Sequence, residues 1–193
     1  MEIVVKILET LVNFVQSTGP YGVVVACGLI FVESILPMMP LSVFITVNFL
    51  ILGKCVGFFV SWIFTVLGCS MSYSIFKKGF GNKFDNLTEN KKLIKKYKKL
   101  FKDISLGKLI LIIAMPFTPA FVVNIVAGLT KMDFKKYFIG LLIGKIAMVY
   151  FWGFIGTSLI ESLKNPMILI KIVIIMLGTY AIYFILNKIF KFE

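Results

Sequence analysis

Apolar residues in this chain come in long runs, and the spacing of the polar positions between them predicts the elements one by one. In residues 2–17, Glu2, Lys6, Glu9, Asn13 and Gln16 share one helical face while Val4, Leu8, Leu11 and Val15 share another. That is the pattern of a helix lying on a membrane surface. Ser17-Thr-Gly-Pro20 ends it with a turn signal. Tyr21–Leu36 is apolar but shorter than the roughly 20 residues a crossing needs. It runs into Pro37-Met-Met-Pro40, after which Leu41–Leu52 is apolar again. These lengths predict a helical hairpin that enters and leaves the bilayer on one side. Phe58–Phe76 is long enough to cross, and Lys77 and Lys78 stop it.

The pattern then recurs. Lys77–Lys108 is polar, with 11 lysines against Asp85, Glu89 and Asp103. Within it Leu93, Ile94, Tyr97, Leu100, Phe101 and Ile104 return at helical spacing, predicting a second, basic interfacial helix; a solvated loop is the alternative. Leu109–Thr130 is again a short apolar arm, a Pro116-Phe-Thr-Pro119 break and a returning arm. Tyr137–Thr157 crosses with Lys145 inside it, and after Asn165-Pro166 the segment Met167–Asn187 crosses last, with Lys171 near its start. Positive segments stay in the cytoplasm, which places 77–108, 131–136 and 188–191 inside. Counting back through Phe58–Phe76 puts Gly53–Gly57 outside, so the two hairpins enter from opposite faces. The expected fold is an all-α integral membrane protein, an inverted repeat of two opposed re-entrant hairpins with about three transmembrane helices and flanking interfacial helices. The whole of 1–193 reads as one membrane domain, divided at 1–20, 21–76, 77–108, 109–160 and 161–193.

Composition agrees with that class. Hydrophobic residues make up 59% of the chain and mean hydropathy is +0.97, more apolar surface than a soluble domain of this size uses. No cleavable leader is expected, since apolar residues follow Met1-Glu2 without a basic region or small-residue cleavage site. The net charge of +12 is all lysine, because arginine is absent; lying beside membrane segments, it points to anionic lipid and not to nucleic acid. Histidine is absent too, which removes the commonest metal ligand and proton shuttle. Cys27, Cys55 and Cys69 are far apart in apolar segments and read as packing residues. Neither a metal site, a cofactor nor hydrolytic enzyme chemistry is expected.

Candidate site residues follow from what is costly in a bilayer. Glu33 lies four residues before the first break among Phe31, Val32, Ile35 and Leu36, where a carboxyl group points to function by default and makes a candidate proton carrier. Lys145, well inside a crossing segment, could pair with Glu33 or attract a lipid phosphate. Pro37, Pro40, Pro116 and Pro119 free backbone groups that are tolerated at this depth only inside protein or beside a cavity. The freed N–H groups and positive helix ends can cradle an anion, and two such breaks in corresponding halves point to a substrate site near mid-bilayer. Asn124 can bind that anion or satisfy the broken backbone. Gly53, Gly57, Gly128, Gly140 and Gly144 read as close-packing positions, and Asp133 as the cap of the following helix.

These residues resemble the DedA superfamily, also called the VTT-domain or SNARE-associated Golgi protein family, over roughly Tyr21–Leu159. Glu33, Pro37 and Pro40 resemble its first motif, followed by Gly53-x-x-x-Gly57, Gly68 and Tyr73-x-x-x-Lys77. Pro116, Pro119, Asn124, Ala127 and Gly128 resemble its second, continued by Phe138-x-Gly140 and Gly144. The family usually carries an arginine three residues before the second break, where this chain has Ile113; that arginine's role cannot be carried over, and Lys145 is the candidate replacement. The resemblance implies movement of a phospholipid or polyprenyl phosphate across a bilayer, with proton coupling through membrane acidic residues proposed for parts of the family. A bacterial plasma membrane with a cytoplasmic C-terminus is the expected location, and self-association stays open. An ion-coupled transporter of a small solute and a non-transporting scaffold are the rival readings.

Overall fold

A computed structural model describes residues 20–36, 41–80, 103–116, 118–162 and 167–190, together with positions 10, 13, 17 and 101. The first proline break (Pro37 and Pro40), most of the proposed basic helix within Lys77–Lys108 and most of the N-terminal helix lie outside the described residues. Six α-helices follow in order: α1 Pro20–Ile35, α2 Leu41–Ile75, α3 Leu106–Ala114, α4 Ala120–Leu129, α5 Phe134–Glu161 and α6 Met167–Phe190. A π-helical turn, Phe76–Phe80, extends α2.

Local chemistry sets the boundaries. Pro20 opens α1, where its missing N–H costs nothing. The helix stops just before Pro37, because the residue preceding a proline is driven out of the helical region. Ser105 caps α3 by accepting from the Lys108 N–H. Met115, before Pro116, is extended at φ −69, ψ 120 and closes that helix. Asp133 caps α5 through a 2.9 Å bond from the Lys136 N–H.

Gly53 does not act as a packing glycine. An added Cβ there would meet nothing within 4 Å, whereas its φ of 76 and ψ of 170 lie outside the helical region. It therefore divides α2 into an arm (α2a, Leu41–Leu52) and a crossing segment (α2b, Lys54–Ile75), with no open loop at 53–57. The division matters because 35 continuous helical residues would reach about 52 Å, well beyond a hydrocarbon core of about 30 Å. Lys131 (φ 52) makes the corresponding turn after α4, with the N–H groups of Lys131 and Met132 returning to the carbonyls of Gly128 and Ala127. Cys55, just past the kink, is exposed and not packed; Cys27 and Cys69 are buried.

Other glycines sit where elements approach closely. A Cβ on Gly68 of α2b would lie 2.6 Å from both the Phe31 carbonyl oxygen and the Ser34 Cβ of α1. A Cβ on Gly144 of α5 would lie 3.0 Å from the Ile110 carbonyl oxygen and 2.8 Å from the Ile113 Cβ of α3. Each long helix thus receives a shorter helix, α1 on α2b and α3 on α5, at a carbonyl and at the side chain three residues on. Gly140 approaches Leu109, Gly57 approaches Asn48 and Phe49 of α2a, and Gly128 of α4 meets Tyr73 and Phe76 at the end of the first span. In turn Gly153 and Gly156 of α5 seat Phe49 and Thr46 of α2a. The returning arms therefore cross over: α4 lies on α2b, and α2a lies on α5.

Around an apolar core, the long helices also present apolar residues outward. Phe59, Ile63, Leu67, Met71 and Ile75 form an exposed apolar stripe on α2b, while Ser61, Thr65 and Ser72 are buried on another face of the same helix. Among the described residues, Leu41–Phe80 and Phe134–Leu159 are long and apolar enough to cross a membrane. The 24-residue α6 lies against α5 and exposes Ile170, Ile174, Leu177 and Phe184.

The close approaches are testable. Gly68→Ala and Gly144→Ala should each lower stability in detergent by about 1–3 kcal/mol, the cost of forcing packed elements apart. Gly28→Ala, whose Cβ would meet nothing within 4 Å, should be neutral or stabilising. Equal unfolding midpoints for all three variants would show that the arms do not seat on these glycines.

Candidate membrane-embedded polar site

The second proline break is a turn between two short helices. Thr118 N–H returns to the Met115 carbonyl at 3.2 Å, and Pro119 is extended at ψ 105 where α4 begins. No side chain caps that N-terminus, so the first N–H groups of α4 keep the positive end of the helix dipole. Beside this end lies a small cavity, with room for about one water molecule. Thr118, Ala120, Val123 and Asn124 line it from the break and α4, Ile112 and Ile113 from α3, and Leu141 and Lys145 from α5.

Lys145 is 0% exposed, the buried lysine among those described. Its Nζ donates to the Met148 Sδ at 3.2 Å, a weak acceptor for a group with three donors. Asn124 is also buried. Its Oδ1 accepts from the Tyr137 hydroxyl at 2.7 Å, and that hydroxyl lies 3.2 Å from the Cys69 carbonyl of α2b. Asn124 Nδ2 has no partner. Tyr137 stacks on Tyr73 with ring centroids 4.5 Å apart. The Tyr73 hydroxyl donates to the Met132 carbonyl and accepts from Lys77 Nζ at 2.9 Å, tying the end of the first span to the corner before the second.

Of the residues expected at the site, Pro119, Asn124 and Lys145 come together around the second break. Pro116 forms the turn itself. Glu33, near the end of α1, is 7% exposed. It is not among the residues lining the Lys145 cavity, so an arrangement of Glu33 and Lys145 around one crevice does not describe this cavity. Ile113 fills the place of the missing arginine by packing on Gly144, next to Lys145 in sequence.

Sequence reading missed a second polar cluster. Asn48 of α2a is buried, and its Nδ2 donates to Ser61 Oγ of α2b at 3.2 Å while Oδ1 has no partner. Asn48–Ser61 and Asn124–Tyr137 are each 13 residues apart and join a returning arm to the span that follows it. The signal was available: Ser61, Thr65, Gly68 and Ser72 recur at helical spacing within an apolar span.

Comparison with known proteins adds the family. The sequence profile of the VTT domain matches residues 36–158, from the first break to the end of the second span. The uncharacterized membrane protein YhjE of Bacillus subtilis (strain 168) is 27% identical over 184 residues, covering 95% of this chain and 87% of the relative. The uncharacterized protein YqeD of the same organism is 23% identical over 189 residues, covering 95% and 85%. No solved structure matches the chain. The profile match spans well over half of the sequence, across both arms and both spans, and the chain belongs to the VTT-domain family of membrane proteins, the DedA family.

Proposed function

We propose that this protein moves a lipid with an anionic phosphate head group, a phospholipid or a polyprenyl phosphate, between the leaflets of a bacterial plasma membrane. One observation carries the reading. The cavity at the second break collects a buried ammonium, an unpartnered amide N–H and the uncapped N-terminus of α4, and no carboxylate lines it. All three favour negative charge. A buried cation in hydrocarbon is retained where it meets an anion or serves a pathway.

The reading includes two re-entrant hairpins in an inverted repeat, and several features support it. At 9 and 10 residues, α3 and α4 reach only about 13 and 15 Å, too short for a crossing of about 30 Å. The 16-residue α1 reaches about 24 Å. The contact of first arm with span at Gly68 recurs at Gly144, the asparagine lock recurs at the same spacing, and each returning arm ends in a residue of positive φ. Cys69 follows Gly68 as Lys145 follows Gly144, so on this reading only the second half carries the charge. With the lysine-rich segments all on the cytoplasmic face, the two hairpins enter from opposite faces on this reading. A water-sized space admits one phosphate oxygen, and neither a whole head group nor a whole solute anion, so its size does not separate the lipid reading from the solute-transporter alternative. On the lipid reading, the proline turn must swing aside to admit the rest.

Reconstituted liposomes test this with labelled phospholipid and labelled polyprenyl phosphate in parallel, beside efflux of a trapped inorganic anion. Lys145→Met should slow lipid movement about tenfold to a hundredfold, the factor that ~1.5–3 kcal/mol of charge-assisted hydrogen bonding represents. Its unfolding midpoint should hold or rise, because a buried charge has been removed. Anion efflux without lipid movement by the wild type would favour the solute reading.

Glu33 is proposed as the proton-coupling carboxyl group. Glu33→Gln keeps the shape and removes the titration, so lipid movement should lose its pH dependence while the protein stays folded. An unchanged pH profile would exclude Glu33 from that role.

A further inference from the structure

Hydroxyls in membrane helices ordinarily turn back to a carbonyl one turn earlier, which satisfies them within the helix. Ser34, Thr46, Ser74, Thr157 and Thr179 do so here, at 2.7 to 2.9 Å. Thr65 and Ser72 of α2b do not. Both are 0% exposed, and neither Thr65 Oγ1 nor Ser72 Oγ has a partner. Ser61, one turn before Thr65, accepts from Asn48. Two turns after Ser61 the Cys69 carbonyl faces the Tyr137 hydroxyl, which leads to Asn124. Asn48 and Asn124, at the two ends of this face, each keep an unpartnered amide atom. Turning either amide over would exchange its two ends without supplying the missing partner.

Four residues on one path, Asn48, Thr65, Ser72 and Asn124, therefore share one anomaly. Ser61, Thr65, Cys69 and Ser72 are spaced one turn apart along one side of α2b, and the rise from Ser61 to Ser72 is about 16 Å. Four of the unpartnered polar atoms, on Asn48, Thr65, Ser72 and Asn124, border that line. Left dry, each would cost about 1–3 kcal/mol, and the cost is avoided if each faces water or a passing polar group. Apolar side chains of similar size would fit the same places without that cost.

We infer that this side of α2b, between Asn48 and Asn124, is a hydrated, uncharged hydrogen-bonding file along which a polar head group passes between the two hairpins. Its chemistry differs from that of the Lys145 cavity: it offers hydroxyl and amide groups and no charge, so it holds phosphate oxygens or head-group hydroxyls weakly and releases them. Only the nature of the passenger rests on the lipid reading above; the hydration of the file does not.

Two measurements separate these parts. In full-length protein with Cys27→Ala, Cys55→Ser and Cys69→Ala, reconstituted in liposomes, Thr65→Cys and Ser72→Cys should react with a small, charged, membrane-impermeant thiol reagent. The rate should exceed that of Val66→Cys, a buried apolar neighbour, by about tenfold or more, the ratio that one unit of thiol pKa alone would give. Rates as low as that of Val66→Cys, in variants with unchanged unfolding midpoints, would overturn the file whatever the protein transports. Thr65→Val keeps the shape and removes the hydroxyl; it should slow lipid movement severalfold. Fast labelling with no effect of Thr65→Val would uphold the hydrated file and overturn lipid as its passenger.

Discussion

Backbone and side-chain polar groups inside a bilayer have no water to fall back on, and the arrangement of this protein follows from that constraint. Helices of 9 and 10 residues leave a large share of their backbone groups at unpaired ends. Ser105 caps the start of the first, and the N–H groups of Thr130 and Lys131 close the end of the second. The Tyr73 and Tyr137 hydroxyls tie α2b to the corner before α5 and to α4.

Glycine makes the close packing possible. Hydrophobic burial gives little net drive between helices already surrounded by apolar lipid, so van der Waals contact and short polar bridges hold the elements together. Gly68, Gly128 and Gly144 allow carbonyls and Cβ atoms of the short arms to reach the spans directly. Trp62 then bridges the two spans, donating from Nε1 to the Leu142 carbonyl at 3.0 Å. The crossed packing, α2a on α5 and α4 on α2b, leaves neither half able to close its polar interior alone.

The polar groups that remain unpartnered lie in that interior and not on the lipid face, where Phe59, Ile63, Leu67 and Met71 stand. A chain selected for stability alone would have apolar residues at Thr65 and Ser72 and no ammonium at Lys145. Their retention at buried positions is the physical basis for reading the protein as one that passes a polar group through an apolar layer.

Hydropathy and spacing by themselves determined the membrane class, the short apolar arms, the proline break after α3 and the Asp133 cap; the family was legible only through the resemblance of the two proline motifs. The first four depend on composition, proline sterics and local hydrogen bonding, all of which act within a few residues. Lys145 and Asn124 were legible as costly groups for the same reason. Tertiary structure alone decided that they line one cavity, to which Glu33 does not contribute, because its lining depends on how α3, α4 and α5 meet. Gly53 looked like a packing glycine because its spacing to Gly57 fits that motif; only the backbone angles reveal a kink. Asn48, Ser61 and Thr65 passed as ordinary polar residues in an apolar run. Whether a hydroxyl turns back to its own helix or stays unpartnered against a neighbour is settled by packing between segments far apart in sequence.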